Sequence, residues 1–82
     1  MNDTITTLDA SGLKCPLPVL KARKAIKALT VGDTIRVIST DPASDLDFKH
    51  YCNTSGNTLV DTEREGEGDA ARFVFTILKA AG

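Results

Sequence analysis

The chain has little of what most reactive centres are built from. Of its 82 residues, one is histidine, two are cysteine and none is tryptophan. Two cysteines are too few for a disulfide scaffold. Cys15 and Cys52 also lack the paired spacing of a zinc site, so no structural metal is expected. The single histidine, His50, disfavours a cysteine–histidine hydrolase, and nothing in the sequence marks an oxyanion site. His50 and Cys52 are two apart, so on a helix they point to different sides and would not share a metal. One tyrosine and three phenylalanines are too few to suggest a base-stacking platform. No apolar run approaches a membrane span. Met1 to Leu8 has no charged start followed by an apolar core, so no secretory signal is read there. The expected compartment is the cytoplasm, where thiols stay reduced. No organic cofactor is expected.

Charge of either sign is not in excess. The net charge is −1, which by itself implies neither nucleic acid nor membrane. Its distribution is uneven. Lys14, Lys21, Arg23, Lys24, Lys27 and Arg36 share their stretch with Asp33 as the only acid. Asp61, Glu63, Glu65, Glu67 and Asp69 form the opposite pole, with Arg64 among them. A chain of this length makes one domain, residues 1–82, with a modest core.

What is present reads as six elements. Thr4 to Asp9 is rich in β-branched residues and predicts a strand, broken at Gly12. Val19, Ala22, Ala25, Ile26 and Leu29 recur at three- and four-residue spacing and predict a helix over 19–29. Thr30 to Asp33 turns the chain, and Thr34 to Thr40 predicts a second strand. Asp41-Pro42 signals a turn or helix start ahead of a helix over 43–53, whose apolar candidates are Leu46, Phe48, Tyr51 and Cys52. Thr58 to Arg64 and Arg72 to Lys79 predict two strands, joined by the acidic, glycine-rich loop Glu65 to Asp69 as a hairpin. The order β-α-β-α-β-β makes the first two strands parallel with a right-handed crossover and the last two antiparallel. The fold class is then α/β in the α+β sense: a two-layer sandwich, a four-stranded mixed sheet with two helices on one face. Ile38, Val74 and Leu78 are expected on the other face, a modest argument for self-association.

Chemistry concentrates at Gly12-Leu13-Lys14-Cys15-Pro16-Leu17-Pro18. Neither proline suits a strand or helix interior, and both suit a rigid turn and the first turn of a helix. Cys15 therefore reads as a thiol on a stiff corner at a helix N-terminus. The helix end, Lys14 and Lys21 are all expected to lower its pKa from roughly 8.5. Pro16 and Pro18 act against this by removing two N–H donors from the turn that would cradle an anion. A Cys-x-x-Cys dithiol is excluded because position 18 is proline. The bland alternative, a small buried hydrophobe, fits poorly with glycine, lysine and proline as neighbours. A reactive thiol with no local base and no deep pocket suggests a carrier that accepts a group from one protein and hands it to another. A sulfane sulfur held as a persulfide fits that logic.

The sequence resembles the TusA (SirA-like) sulfur-carrier family. The resemblance is carried by Leu8-Asp9, Gly12 to Pro18, Gly32-Asp33, Asp41-Pro42-Ala43, Asp47-Phe48, Tyr51-Cys52 and the closing Phe73 to Ile77. It spans almost the whole chain, and its Cys-Pro-x-Pro motif after Gly-Leu is fairly specific. It implies a sandwich like the C-terminal domain of a bacterial translation initiation factor. It also implies a persulfide on Cys15, supplied by a cysteine desulfurase or another sulfurtransferase and delivered to an acceptor protein in tRNA thiolation, molybdenum-cofactor or sulfur-oxidation chemistry. The chain departs from the family pattern at Lys49-His50-Tyr51, where proline and tryptophan are often found before the cysteine, which bears on partner specificity.

The site expected from the sequence is thus Cys15 as the carrier, supported by Gly12, Pro16 and Pro18. Lys14, Lys21, Arg23 and Lys24 form a basic face that would steer an acidic partner surface; the alternative is a solvated helix face. Cys52 reads as a core residue, with a resolving thiol or second sulfur site as its alternative. Asp9 and Asp41 read as turn and cap residues. The competing functions are a small RNA-binding or regulatory domain using the basic first helix, for which fold analogy is weak support, and a redox switch through a Cys15–Cys52 disulfide.

Overall fold

Six elements follow one another in the order the periodicities predict. The computed structural model describes residues 5–68 and 71–80. In it, β1 (Ile5–Ala10), α1 (Leu17–Lys27), β2 (Thr34–Ser39), α2 (Ser44–Ser55), β3 (Thr58–Glu65) and β4 (Arg72–Leu78) build one mixed sheet in the order β1-β2-β4-β3. β1 and β2 are parallel; β2–β4 and β3–β4 are antiparallel. The fold is α+β, with both helices sharing one core with a single sheet face.

The element ends differ from the expected ones for local reasons. α1 begins at Leu17 rather than Val19, because Pro18 in its first turn gives up no hydrogen bond. It ends at Lys27, and the N–H groups of Ala28 and Leu29 close onto the carbonyls of Ala25 and Ile26 in a tighter final turn. α2 runs two residues past Asn53. Gly56 stops it, with a left-handed φ of 84° and its N–H on the Cys52 carbonyl at 3.2 Å. Thr4, expected in the first strand, and Asp69, expected in the acidic loop, lie outside the described residues.

The sheet register explains which side chains meet. Ile35, Val37 and Ser39 of β2 stand opposite Ile77, Phe75 and Phe73 of β4. With Ala10 of β1 they face Ala22 and Ile26 of α1 and Phe48 and Cys52 of α2. The rings of Phe48 and Phe75 stack at 4.5 Å between centroids. Each large apolar side chain buried this way contributes roughly 1.5–3 kcal/mol. A bulge leaves Val60 unpaired between Leu59 and Asp61. Beyond it Thr62 and Arg64 align with the inward residues Phe75 and Phe73, and Asp61, Glu63 and Glu65 fall on the open face.

The open face carries the three apolar residues expected, Leu78 falling on it by its register opposite Thr34, but charged side chains lie among them. Ile38 and Val74 lie in a shallow depression with Thr7, Arg36, Glu63, Glu65 and Arg72. Arg72 pairs with Glu65 at 3.1 Å. Long charged side chains cover the sheet, so Val74 is only 7% exposed, and the argument for self-association through this face falls. The three phenylalanines lie on the helix-covered side, which takes stacking rings away from the open face.

Lys79, just past β4, contributes more than its place at a strand end suggested. It is almost fully buried, and its Nζ donates to the carbonyls of Ile26 (2.9 Å) and Leu29 (2.7 Å). Ile26 lies in the last turn of α1 and Leu29 just beyond it, at the helix end where a cation is favoured.

Candidate functional site

Parallel pairing decides where the site forms. β1 and β2 end level, Ala10 beside Ser39, so the connections into both helices leave the same edge of the sheet. The first is 11–16, the second 40–43. They are sewn together by hydrogen bonds. Asp9 accepts the Ser11 N–H at 2.9 Å and starts the first turn. Gly12 adopts φ 81° and donates its N–H to Thr40 Oγ1 at 2.9 Å. A Cβ there would meet nothing within 4 Å, so the backbone angle, not crowding, calls for glycine.

Asp41 is the knot of the second connection. One of its carboxylate oxygens accepts the Ala43 N–H at 3.0 Å, and the other accepts the Cys15 N–H at 2.6 Å. These backbone bonds, the Cys15 one first, hold its pKa below the usual carboxylate range, with Lys14 adding to the effect. The expectation of a turn residue is met, but Asp41 is not the cap: Ala43 stands at the N-cap of α2, with no side-chain cap bond. Asp41 also fixes the backbone of the cysteine corner.

Cys15 itself is exposed and free, ahead of Pro16 at the cap of α1. The Cys15–Pro16 peptide is cis. The Leu17 N–H closes onto the Lys14 carbonyl at 2.8 Å, and the Leu20 N–H onto that of Pro16 at 3.1 Å. The thiol donates to Asp47 Oδ2, from the first turn of α2. This corrects the expected electrostatics. The Asp47 hydrogen bond, then partial withdrawal from water, then the negative charges of Asp47 and Asp41 push the Cys15 thiol up, not down. Lys21 Nζ donates to the Asp9 carbonyl at 3.3 Å. Lys14 acts on Asp41 instead.

Beside Cys15 lies a surface groove of about 500 Å³ between the helices, lined by Pro16, Val19, Leu46, Asp47, His50, Tyr51 and Thr54. No deep pocket was expected, and this one is shallow, but it is largely apolar. Leu46 is 73% exposed at its rim. The groove continues into a smaller one bordered by Arg23, Lys27, Tyr51 and Thr54. The basic residues expected to act together are therefore divided: Arg23 borders the smaller groove, Lys21 folds back on β1 and Lys24 is exposed in the last turn of α1. Pro18 is buried beneath the corner, and Pro16 is exposed at the groove.

Cys52 is buried, with burial pushing its thiol up to about 11. Among the described residues, no group of three or more histidine, cysteine, aspartate and glutamate side chains could hold a metal. No helix among them is long and apolar enough to cross a membrane.

The family model for the sulfurtransferase TusA matches residues 6–79. The chain belongs to the TusA family. It is 42% identical over 80 residues to the sulfur carrier protein TusA of Allochromatium vinosum, covering 98% of this chain and all of that protein. It is 44% identical over 73 residues to a putative sulfur carrier protein of Neisseria meningitidis serogroup A, covering 88% and 89% of the two chains. The crystal structure of a SirA-like protein from Desulfitobacterium hafniense has the same fold, with a TM-score of 0.67 at 26% identity, over 94% of this chain and 99% of that one. Within the TusA-like motifs quoted above, Asp41 and Asp47 are the side chains whose contact with the cysteine a local reading misses. They lie 26 and 32 residues away from it in sequence.

Proposed function

We propose that this protein carries sulfane sulfur as a persulfide on Cys15 and relays it between proteins. TusA-family membership supports the sulfur-carrier role, and the single observation that carries the assignment to Cys15 is its exposed sulfur on a corner fixed by Gly12, Asp41, Pro16 and Pro18. Cys52, buried in the core, offers no comparable access. The 1–82 chain acts as one carrier domain in the cytoplasm, where reducing conditions keep Cys15 free.

Loading is a thiol exchange at sulfur. The Cys15 sulfur attacks the terminal sulfur of a donor persulfide and forms the new S–S bond as the donor S–S bond breaks. The donor cysteine departs as a thiolate and takes up a proton, matching the one Cys15 gives up. No net oxidation occurs, and the sulfur has changed hands. Unloading is the same step with an acceptor thiolate. The protein is a relay in this scheme, not a stand-alone catalyst. Its partners are a donor, either a cysteine desulfurase or another sulfurtransferase, and a downstream acceptor. Although Lys14, Lys21, Arg23 and Lys24 do not form one patch, their positive charge around the corner and along α1 would steer an acidic partner surface toward it at long range. The routes open to such a carrier are tRNA thiolation, molybdenum-cofactor synthesis and sulfur oxidation.

Mass spectrometry after incubation with a cysteine desulfurase and cysteine tests the assignment. One added sulfur is expected on the Cys15 peptide of the wild type and none on Cys15→Ser. Equal sulfur uptake by Cys15→Ser sinks it.

A further inference from the structure

The exposed thiol is set among groups that oppose its ionisation. On the α2 side, Asp47 accepts its hydrogen bond. On the side of the 40–43 connection, Asp41 accepts the Cys15 backbone N–H. Of the cations nearest in sequence, Lys21 donates to the Asp9 carbonyl, and the charge of Lys14 helps hold the Asp41 carboxyl low. His50, also on α2, lines the same groove as Asp47.

The helix start also has few donors to give an anion. Pro16 and Pro18 have no N–H, the Leu17 N–H is spent on the Lys14 carbonyl, and that of Cys15 on Asp41. A helix N-terminus that would ordinarily stabilise a thiolate is thus largely emptied of the groups that do so.

We propose that Asp47 is a positioning residue that keeps Cys15 as the neutral thiol in the free protein, withholding the nucleophilic thiolate between transfers. This rests on the reading of Cys15 as the sulfur-bearing residue. A general base is the other role open to a carboxylate beside a thiol. Reference carboxylate and thiol pKa values differ by about four units or more, so proton transfer to an ordinary carboxylate is steeply uphill. The arrangement suits holding the proton better than taking it. The unloaded carrier gains from this, because the thiolate is the form that metals, oxidants and stray electrophiles attack.

The test is peptide-resolved alkylation of Cys15 by pulses of iodoacetamide across a range of pH, with circular dichroism to confirm folding. Three samples are compared: wild type, Asp47→Asn, and an unstructured peptide of residues 10–20. The wild-type midpoint is expected above that of the peptide. The Asp47→Asn midpoint is expected to fall by about one unit, with Cys15 alkylated roughly tenfold faster at neutral pH. A wild-type midpoint at or below the peptide's overturns the proposal even if the variant does not fold. So does a folded Asp47→Asn protein whose profile overlays the wild type. Iodoacetamide delivers no sulfur, so this outcome is separate from whether Cys15 carries a persulfide.

Discussion

Cys15 and Cys52 are the same side chain in two opposite settings, and both thiols are pushed up. For Cys52 the cause is burial: the charged form would have to sit among Phe48, Phe75 and Ile26. For Cys15 the first cause is the Asp47 hydrogen bond, on a sulfur that solvent reaches. Titration direction alone would class them together. What separates them is access, and access is what a carrier needs. A thiol can be quiet because nothing reaches it, or quiet because a neighbour holds its proton; only the second kind can be switched on without opening the fold.

The largest effect that could break this contrast is in native-state labelling. At mildly alkaline pH, iodoacetamide should modify Cys15 at least about a hundredfold faster than Cys52, whose exposure waits on opening of the core. Comparable rates in the folded protein would erase the distinction. Next comes Phe48→Ala, which removes the ring stacked on Phe75 one turn before Cys52. It should cost about 3–5 kcal/mol in a urea titration. Cys52 labelling should accelerate with the lost stability, and Cys15 labelling far less.

Lys79→Met sharpens the comparison from the far end of α1. It leaves the Ile26 and Leu29 carbonyls without their shared donor and should cost about 1–3 kcal/mol. The Cys15 alkylation midpoint should stay where it is, because the clamp lies at the opposite end of the helix from the corner. The smallest effect concerns acid. Asp41 is held low in the folded protein, so the stability it contributes is present above the ordinary carboxylate range and is lost as pH falls through and below about 3.8. Asp41→Asn should flatten that acid limb in a pH series of melting temperatures. An unchanged limb would show that Asp41 does not set it.

Most of the architecture was legible because it rests on short-range signals. The stripe Ala22, Ala25, Ile26 marks α1, and the alternation Phe73, Phe75, Ile77 marks the inward face of β4. Gly12 and Gly56 end elements where the chain needs a positive φ. The bulge at Val60 was not legible, since a β-branched residue in a β-rich run gives no sign of one. Lys79 looked like an ordinary charged residue closing a strand, and only packing 50 and 53 residues away gives it its partners.

The site was half legible for the same reason. Cys15, its prolines and its corner are contiguous and stand out. Their electrostatics do not, because sequence neighbours drew attention to Lys14 and Lys21, whereas the hydrogen-bond partner comes from another helix. The usable signal was present within the family-like stretches Asp41-Pro42 and Asp47-Phe48, two acids at the start of a helix that must begin beside Cys15 if β1 and β2 are parallel.

The pairing of Ala10 with Ser39 therefore acts as a ruler for the chemistry. It sets how far the Gly12 turn stands from Thr40, the Cys15 backbone from Asp41 and the sulfur from Asp47 at the start of α2, contacts between segments far apart in sequence. One residue inserted between Ala10 and Cys15 would fall in an exposed turn, where loops accept length at little thermodynamic expense. The sheet and its buried face would survive such a change. The sulfur would be out of gauge, leaving a molecule that melts normally and presents its thiol in the wrong place.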